Sequence, residues 1–392
     1  MAGRKQPRAL VKGSVLRWAR ESLNLTIEAA AKRLKLGPDV LRAWEAEQQA
    51  PSVPQLRKLA DAYKRPLIVF YLPEPPKGFD AMRDFRRAVP EQARRPSPQL
   101  ALEIRRMHEL RDAAQDLAAS IGEPIPRWEV GATLGSDPAA AARTARDRLG
   151  IPVEQQRKWR DSYKALRAWR DALEAAGTLV FQLRGIESDE ARGFSIAAEV
   201  LPAIAINGKD APNGRIFTLM HELGHLVLHA DGRCGDILDD EGSDERGRIE
   251  AFCNAFAAEL LLPRQALLEH SVLREHGRSP RWSLAELETL ARDFSVSEEV
   301  VVRRLLELGR ASEAFYREQR ARLAGRLWNT QTGGGDPYRS QVARLGRTFI
   351  RLVFSGLSER QLSSVDAATL LGVKVSNFAK LQDEAFDGMA TA

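Results

Sequence analysis

The sequence predicts a mainly α-helical protein with one small β-sheet, an α+β fold class, on two observations. Helical periodicity with capping residues runs through most of the 392 residues. Three short β-prone runs bounded by Gly, Asn and Pro lie close together, at 178–183, 194–200 and 202–207. We therefore expect an N-terminal helix-turn-helix bundle, a central domain with a three-stranded sheet, and a C-terminal helical module.

Composition favours a globular protein over a disordered or membrane-spanning one. Hydrophobic residues make up 44% and charged residues 29% of the chain, enough to bury the cores of two or three domains. The longest apolar stretches, such as 67–72, are too short to cross a bilayer, and no secretory signal follows the basic N-terminus. The only two cysteines, Cys234 and Cys253, fit a reducing compartment. We expect a cytoplasmic protein without a membrane partner.

Positive charge is concentrated at the N-terminus. Residues 1–70 contain 14 Lys and Arg against 6 Asp and Glu, whereas the remaining residues contain 45 against 47. This asymmetry indicates that one module meets a polyanion such as DNA. The alternative is an ordinary solvated basic face.

The first module has the pattern of a helix-turn-helix. Thr26 can cap a helix over 27–34, Gly37 and Pro38 supply a tight turn, and a second helix follows over 40–46. The stretches AKRLKLGPDVLRAWE and APSVPQLRKLADAYKRPL, at 31–45 and 50–67, resemble the helix-turn-helix module of phage-repressor and Cro-type regulators. The resemblance covers roughly residues 10–70.

The second helix of such a pair reads the major groove. Here it carries one basic residue, Arg42, among the acidic Asp39, Glu45 and Glu47, so phosphate contacts are expected mainly from the basic residues around it. These are Lys32, Arg33 and Lys35, with Lys5, Arg8 and Lys12. The alternative is a dimerisation or partner-docking module of the same fold. Because target sites of this class are two-fold, a homodimer is a fold-level expectation.

Loop signals divide the rest of the chain. A proline-rich exit at 71–79 and a glycine-rich interruption at 329–337 predict four segments: a helix-turn-helix domain, a helical linker, a domain with the sheet, and a C-terminal module. Their bounds are 1–72, 73–129, 130–310 and 311–392. Helices are expected over 97–121, 139–149 and 157–176. Segments 284–305 and 361–381 have a helix-turn-helix rhythm but no basic reading face, so both are expected to be packing units.

An HExxH pattern occupies residues 221–225. Positions four apart lie on one face of a helix, so the imidazoles of His221 and His225 can share one metal ion while Glu222 points toward a water on it. With six histidines in the chain, chance predicts about 0.007 occurrences of the pattern. The flanking residues are apolar, and a buried helix that carries three such groups needs a chemical reason. The alternative is a pair of ordinary core or surface histidines.

A catalytic metal usually has three protein ligands. A second helix is expected over 248–263, where Glu250 faces the same way as Asn254, and Glu250 is the predicted third ligand. His229 lies roughly 12 Å along the helix from His221, too far to share the ion, so it is expected to support the site or face the substrate, as is Asn254. The competing ligands are Glu259, Asp236, Asp239, Asp240, Asp244, Glu245 and the thiolate of Cys253.

These motifs together resemble the ImmA/IrrE family of metallopeptidases, over roughly residues 130–310. They are GFS at 193–195, the strand PAIAIN at 202–207, GRIFTLMHELGHLVLH at 214–229 and EAFCNAFAAELLLP at 250–263. Many members similarly have an XRE-type (Cro-like) helix-turn-helix in front, with FYLPEPP, here at 70–76, leading out of it. The resemblance implies a zincin-like HExxH metallopeptidase domain with a gluzincin-like ligand set.

Residue by residue, the resemblance implies metal ligands at His221, His225 and Glu250 and a catalytic glutamate at Glu222. It also implies an intracellular endopeptidase that makes a limited cut in a DNA-binding repressor, in a stress response or in mobile-element regulation. One divalent metal is expected, zinc by default, although this donor set also accepts manganese or iron. Glu222 would take a proton from water and deliver it to the leaving amine. Candidates for the oxyanion donor are His229, Arg215 and a tyrosine.

Two other functions fit the same sequence. In the first, the chain is a Cro-type transcription regulator whose peptidase fold is not catalytic. In the second, it is one component of a toxin–antitoxin pair. The presence of all four motif residues favours the enzyme, because a scaffold has no need for all four.

Overall fold

The computed structural model describes residues 7–76, 96–229, 243–324 and 336–386, and the side chains of residues 243, 244 and 324 are not described. The predicted Lys5, Cys234 and acidic residues at 236–240 lie outside these ranges, as do residues 77–79 of the first predicted loop segment and 329–335 of the second. The chain divides into two compact units, Met1–His108 and Glu109–Ala392. In the described ranges, no helix has both the length and the apolar character needed to cross a membrane.

The first unit is a helical bundle, as predicted. Its helices are α1 (Gly13–Glu21), α2 (Ile27–Leu34), α3 (Pro38–Glu45), α4 (Val53–Tyr63), a 3-10 helix (Leu67–Tyr71) and the first part of α5 (Pro98–Ser120). The Thr26 hydroxyl caps α2 by accepting from the Ala29 amide, and Lys35 ends the helix in the left-handed conformation. Leu16, Leu41 and Trp44 are buried on the common apolar face, so the predicted helix-turn-helix is confirmed.

A buried ion pair joins α1 to α3 in this unit. The guanidinium of Arg20 donates from Nε to Glu45 Oε1 at 2.7 Å and from Nη2 to Glu45 Oε2 at 2.9 Å. Only 5% of Glu45 is exposed, so this carboxylate, which the sequence placed near the DNA groove, belongs to the core of the bundle. The pair therefore fixes the orientation of α3 and offers nothing to DNA.

The second unit contains the three-stranded sheet and fourteen helices within the described residues. In chain order they are α6 (Pro138–Leu149), α7 (Val153–Trp159), α8 (Ser162–Ala175), β1 (Leu179–Leu183), β2 (Gly193–Ile196), β3 (Ala203–Asn207), α9 (Pro212–His229), α10 (Ser243–Leu261), α11 (Arg264–Leu268), α12 (Ser271–Glu275), α13 (Leu284–Phe294), α14 (Glu298–Glu307), α15 (Glu313–Ala324), α16 (Pro337–Leu345), α17 (Arg347–Ser358), α18 (Ser364–Leu371) and α19 (Phe378–Phe386), with the second part of α5 and a 3-10 helix, Val375–Asn377. The α+β class is confirmed.

One predicted helix is broken. The expected helix over 157–176 is two helices, α7 and α8, because Arg160 has a φ of 50° and ends α7 in the left-handed conformation. Asp161 then caps α8 by accepting from the Lys164 amide at 2.7 Å. The apolar periodicity continued across this break, so the prediction missed it.

The sheet has the order β1-β3-β2. Strand β1 pairs parallel with β3, and β2 pairs antiparallel with β3, with Ser195 opposite Ile204 and Gly193 opposite Ile206. Every residue of β3 is buried, as expected for a central strand covered on both faces. The edge strand β2 packs against α9, the helix that carries the HExxH pattern.

Helices α9 and α10 pack closely against each other in the core of the second unit. At Gly224 a Cβ atom would lie 3.1 Å from Cys253 Cα and 3.2 Å from its Sγ, so only a glycine allows this separation without a shift. The carbonyls at the C-terminal end of α10 are capped by buried polar side chains: Arg146 donates to Leu260, and Gln156 donates to Leu261 at 2.9 Å. Together these contacts fix α10 relative to α9.

The C-terminal helices pack on the sheet's other edge strand. Helix α16 contacts β1, and Phe349 of α17 meets Phe181 of β1 edge-on, with ring centroids 5.9 Å apart. The buried Glu174 of α8 accepts the Thr348 amide at 2.8 Å and so caps the N-terminus of α17. These helices therefore belong to the same compact unit as the sheet.

Candidate metal centre

The structure brings three predicted ligands together. Their ligand atoms, one from each of His221, His225 and Glu250, all lie within 4.8 Å of one another. His221 Nε2 is 3.3 Å from Glu250 Oε2, and His225 Nε2 is 3.6 Å from Glu250 Oε1. The two histidines occupy successive turns of α9 with ring centroids 5.0 Å apart, and the close packing at Gly224 brings Glu250 opposite them. Two imidazoles and a carboxylate form a donor set that zinc accepts.

Burial and charge shape the titration of this cluster. Desolvation, together with the neighbouring His221, lowers the pKa of His225 to about 4, so His225 is neutral at pH 7. Burial opposes the charged form of His221, but its hydrogen bond to Glu250 and the carboxylates of Glu222 and Glu250 raise its pKa overall. Burial likewise opposes the charged form of Glu250, but both histidines lower its pKa overall. The cluster holds negative charge where a cation would sit.

Glu222 is buried beside the cluster, with only 7% of its surface exposed. Desolvation raises its pKa to about 7, although the charge of His221 and, to a smaller extent, the Ser195 side chain lower it. Its Oε2 is buried and makes no hydrogen bond to the described residues. A carboxyl with a pKa near 7 and one uncommitted oxygen suits a general base.

The two predicted supporting residues have different surroundings. Asn254, half-buried on α10, hydrogen-bonds the His221 side chain and helps to raise its pKa. His229 is half-buried one turn beyond His225, and its charge contributes to lowering the pKa of that histidine. Asn254 therefore lies next to a predicted ligand, whereas His229 acts on the cluster through its charge.

The alternative ligands that the structure describes are engaged elsewhere. Glu259 forms a buried ion pair with Arg304 and accepts from the Arg264 amide at 3.3 Å. The thiol of Cys253 is buried against Gly224 in the helix interface. Glu245 is half-buried near the start of α10, five residues before Glu250, and is not among the clustered ligands. Asp236, Asp239 and Asp240, and the side chain of Asp244, lie outside the described residues.

Sequence reasoning did not place Ser195 near Glu222, whose pKa it lowers. The motif GFS at 193–195 was a signal, but no rule of periodicity or spacing joins a strand residue to a helix residue 27 positions later. The contact arises because Gly193 lets β2 approach α9: a Cβ there would lie 2.6 Å from Thr218 Cγ2 and 3.5 Å from Glu222 Cγ. The candidate oxyanion donor Arg215 instead approaches Gln182 Oε1 at 3.5 Å and the Tyr163 ring at 5.9 Å.

In the first unit, the predicted DNA contacts divide into two groups. Lys32, Arg33 and Lys35 are exposed at the end of α2. Arg42 of α3 is exposed too, but its guanidinium donates to Asp39 Oδ1 at 2.8 Å and to Glu28 Oε1 at 2.5 Å. The lysines and Arg33 are thus available to phosphates, whereas Arg42 must exchange two carboxylate partners to reach a base.

A helix-turn-helix bundle and an HExxH helix faced by a glutamate are features of a metallopeptidase with an attached regulatory module. Comparison with known proteins agrees. Residues 173–306 match the family model of the IrrE N-terminal-like domain, and residues 16–70 match the helix-turn-helix family model. The resemblance to the ImmA/IrrE metallopeptidases with an N-terminal helix-turn-helix is confirmed.

A curated relative is the radiation response metalloprotease IrrE of Deinococcus radiodurans. It is 29% identical to this chain over 189 residues, which cover 43% of this chain and 55% of the relative. The matched region thus spans about half of that protein.

Proposed function

We propose that this chain is a metal-dependent endopeptidase that makes a limited cut in a protein substrate, a DNA-binding transcriptional repressor. The carrying observation is the convergence of His221, His225 and Glu250 within 4.8 Å of one another, beside the buried Glu222. Two matches support the proposal: the peptidase-family domain over 173–306 and the metalloprotease relative. By the same family relation, the cut releases genes of a stress response or of a mobile element.

The donor set fits a divalent metal, with zinc as the proposed ion and manganese or iron as substitutes. His221, His225 and Glu250 would hold it. His225 is already neutral at pH 7, as a ligand must be, and its pKa of about 4 keeps it so in mild acid. A zinc ion bound here would polarise the scissile carbonyl and acidify water. Asn254 keeps the His221 ring in place by its hydrogen bond.

The proton transfers belong to Glu222. Its raised pKa, about 7, lets the carboxyl accept a proton at neutral pH and release it again to the amine of the departing peptide. The buried Oε2, which has no hydrogen-bond partner among the described residues, is the atom that accepts this proton. Burial excludes bulk water from the carboxyl, so the proton passes to the leaving group.

The helix-turn-helix brings the enzyme to its substrate in this proposal. Lys32, Arg33 and Lys35 supply phosphate contacts that concentrate the chain on DNA, where a repressor is bound, and Arg42 reads a base. The proposed domain limits are 1–72 for this module, 73–129 for a linker, 130–310 for the peptidase and 311–392 for the C-terminal module. A homodimer would match two-fold operators.

The test uses the full chain loaded with zinc and incubated with repressor proteins encoded near its gene. We expect one discrete cut, separated by mass spectrometry, and its loss in Glu222→Gln by a factor of about 10² to 10⁴ with metal content unchanged. Replacing the exposed Glu313 by Gln is the matched control and should leave the cut intact. Equal cleavage by Glu222→Gln would refute the mechanism.

The second candidate is a transcription regulator with a non-catalytic peptidase fold, favoured by the match of residues 16–70 to the helix-turn-helix model. It predicts that Glu222→Gln leaves DNA binding unchanged and that the metal-loaded chain cuts no protein. A toxin–antitoxin role is weaker, and it requires that expression of residues 130–392 alone harms the host.

A further inference from the structure

We propose that residues 363–386 form a second helix-turn-helix, the C-terminal pair, which binds duplex DNA through the exposed face of its second helix. The pair consists of α18, a turn, and the 3-10 helix Val375–Asn377 that continues into α19. The sequence predicts only a packing unit in this segment. The proposal does not depend on the peptidase function, and it is carried by the backbone, the buried positions and the exposed charges of the pair.

The first helix of the C-terminal pair begins and ends as α2 does. The Ser363 hydroxyl accepts from the amide three residues later at 3.1 Å, as the Thr26 hydroxyl does at 3.2 Å. Both helices have eight residues. Each is followed by a residue in the left-handed conformation, Gly372 with a φ of 62° and Lys35 with a φ of 55°.

The turn between the two helices is also the same. The Val373 amide donates back to a carbonyl of α18 at 3.3 Å, as the Leu36 amide donates to a carbonyl of α2 at 2.9 Å. The next residue is extended in both, Lys374 with φ −68° and ψ 148° and Gly37 with φ −71° and ψ 141°. The two segments align without a gap. The C-terminal pair therefore has the backbone of the helix-turn-helix that the family model matches within residues 16–70.

The same positions are buried in both segments. Phe378 and Leu381 of α19 are buried, and they align with the buried Leu41 and Trp44 of α3. On this side α19 packs against α16 and α17. The residues on the other side of the second helix are exposed, and they are Lys374, Val375, Ser376, Ala379 and Lys380. In a helix-turn-helix these N-terminal positions of the second helix reach the base edges of the major groove.

A similar turn joins α13 to α14, but the second helix is covered there. Ser295 is in the left-handed conformation with a φ of 52°, and the Val296 amide donates back to a carbonyl of α13 at 2.9 Å. Helix α14 then packs against α15, with Val302 and Arg304 buried. Such a backbone alone does not make a DNA site. The open face distinguishes the C-terminal pair from this packing unit.

The open face carries positive charge that no carboxylate neutralises. From 367 to 382 the only ionisable residues are Lys374 and Lys380, and neither forms an ion pair within the part of the chain that the structure describes. In α3, by contrast, Arg42 is engaged by two carboxylates. The lysines suit phosphates, and between them Ser376 can hydrogen-bond a base and Val375 can contact a thymine methyl.

The carboxylates closest in sequence do not oppose DNA on this face. Asp366 accepts from the hydroxyl that caps α18 at 2.6 Å, and Glu384 lies 3.3 Å from Arg339 Nε. Asp383 is exposed, but it lies toward the C-terminal end of α19, beyond the residues that contact bases in this class. Duplex DNA is therefore the partner whose charge and groove fit the open face.

The experiment measures binding of the full chain to a fluorescent duplex of about two helical turns, by anisotropy across a salt series. The parent protein carries alanine at the three basic residues at the end of α2, so its affinity reports other sites. Lys374→Ala with Lys380→Ala is added to this parent. The matched control adds Lys158→Ala with Lys164→Ala, which removes two exposed lysines of α7 and α8 in the same unit.

We expect the Lys374 and Lys380 changes to weaken binding about 10- to 100-fold at about 0.1 M salt, and to reduce the slope of log affinity against log salt by about 2. The control pair should alter neither value, and the thermal midpoint should be the same in all variants. A photo-crosslinking residue at Ser376 should join to the duplex, whereas one at the exposed Ser271 of α12 should not.

Equal affinities after the two pairs of changes, or no crosslink from position 376, would refute DNA binding by the C-terminal pair. A parent protein that binds no DNA would refute it as well. In each of these cases the open face of α19 would be left to a protein partner.

Discussion

A buried glutamate in the N-terminal bundle, Glu45, and a half-buried one in the α9–α10 site, Glu250, both face basic side chains, but with opposite chemistry. In the bundle, both oxygens of Glu45 accept from one guanidinium, Arg20, at 2.7 and 2.9 Å, so the two charges cancel. In the site, the oxygens of Glu250 face two imidazoles, His221 and His225, at 3.3 and 3.6 Å. Neutral imidazoles do not neutralise the charge of the Glu250 carboxylate. That charge is balanced only when a proton or a metal cation binds to the cluster.

Titration reflects this difference. Glu45 raises the pKa of the Arg20 guanidinium by its hydrogen bond, so the pair in the bundle keeps its proton at every accessible pH. In the site, burial lowers the pKa of His225 to about 4 and raises that of Glu222 to about 7. Burial of a carboxylate thus stabilises a fold when its partner is permanently charged, and prepares a reaction when its partners can change their charge.

The largest expected effect is on stability, and it comes from the buried Arg20–Glu45 pair of the N-terminal bundle. Arg20→Ala removes the two hydrogen bonds that Arg20 donates to the buried Glu45, and should lower the free energy of unfolding by about 3–5 kcal/mol, measured by urea denaturation. Arg17, which is 55% exposed and 3.8 Å from the same carboxylate, is the control, and its replacement by Ala should cost less than about 1 kcal/mol. If both variants lose the same free energy of unfolding, the Arg20–Glu45 pair is not what fixes α1 against α3.

The next effect tests the site. Glu250→Ala should weaken zinc binding by more than about 100-fold, above the range of outer-shell changes, while the metal-free protein unfolds as the wild type does. Glu259→Gln lies on the same helix but disturbs the pair with Arg304, so it should bind zinc normally and unfold earlier. Titration calorimetry measures the zinc affinity of each variant, and denaturation measures its stability. Normal zinc binding by Glu250→Ala would remove Glu250 from the ligand set.

A smaller effect tests the helix contact that unites the ligands. In Gly224→Ala the new Cβ, 3.1 Å from Cys253 Cα, forces α9 and α10 apart by a few tenths of an ångström, at a cost of about 1–3 kcal/mol. The zinc affinity of Gly224→Ala should fall as well, because the ligands on the two helices move apart. Gly247→Ala, also on α10 but in open space, should instead stabilise by about 0.5–1 kcal/mol. A Gly224→Ala protein with normal zinc affinity would show that the ligand spacing does not depend on this contact.

Acid should weaken metal binding in a defined window. The pKa of His221 is raised above 6.5, so in the metal-free protein this imidazole is protonated at mildly acidic pH and must release that proton to bind a metal. Affinity should fall about tenfold per pH unit below the His221 pKa, with one proton released, until His225 also protonates near pH 4. Calorimetry in buffers of different ionisation enthalpy counts the protons. Constant affinity from pH 7 to pH 5 would contradict the assignment.

The smallest effect on stability is expected at the basic surface of α2. Replacing Lys32, Arg33 and Lys35 by Ala should change the free energy of unfolding by no more than about 0.5 kcal/mol each, since all three are exposed. On DNA, each change should reduce the slope of log affinity against log salt by about 1, measured by fluorescence anisotropy. Ser358→Ala, in the other unit, is the control. An unchanged salt slope in the triple variant would favour a protein partner over DNA.

Local patterns were enough to predict much of this fold. Thr26, Gly37 and Pro38 marked the helix-turn-helix because caps and turns have local chemistry. The three strands were predicted from short apolar runs, although β2 ends at Ile196 and not at 200, and their parallel and antiparallel pairing came only with the structure. The break at Arg160 was missed because a non-glycine residue in the left-handed conformation has no sequence signal.

The candidate site, too, was predictable from the sequence only in part. His221, Glu222 and His225 follow from helical spacing, and Glu250 was chosen among several acidic residues by its face on the second helix. The structure brings Glu250 to the histidines and directs Glu259 to Arg304, but the metal assignment itself stays a prediction. The close approach of β2 to Glu222 could not be predicted, because it depends on how a strand packs against a helix.

The cap that Glu174 gives to α17 has a consequence for biosynthesis. Glu174 and Thr348 are 174 positions apart in the chain, and helices α16 and α17, which pack on β1, follow the whole candidate site in sequence. A ribosome therefore releases the HExxH helix well before the cover of its sheet exists. Until then the nascent chain exposes a strand edge that chaperones recognise, and a prematurely terminated product keeps that edge exposed for proteases.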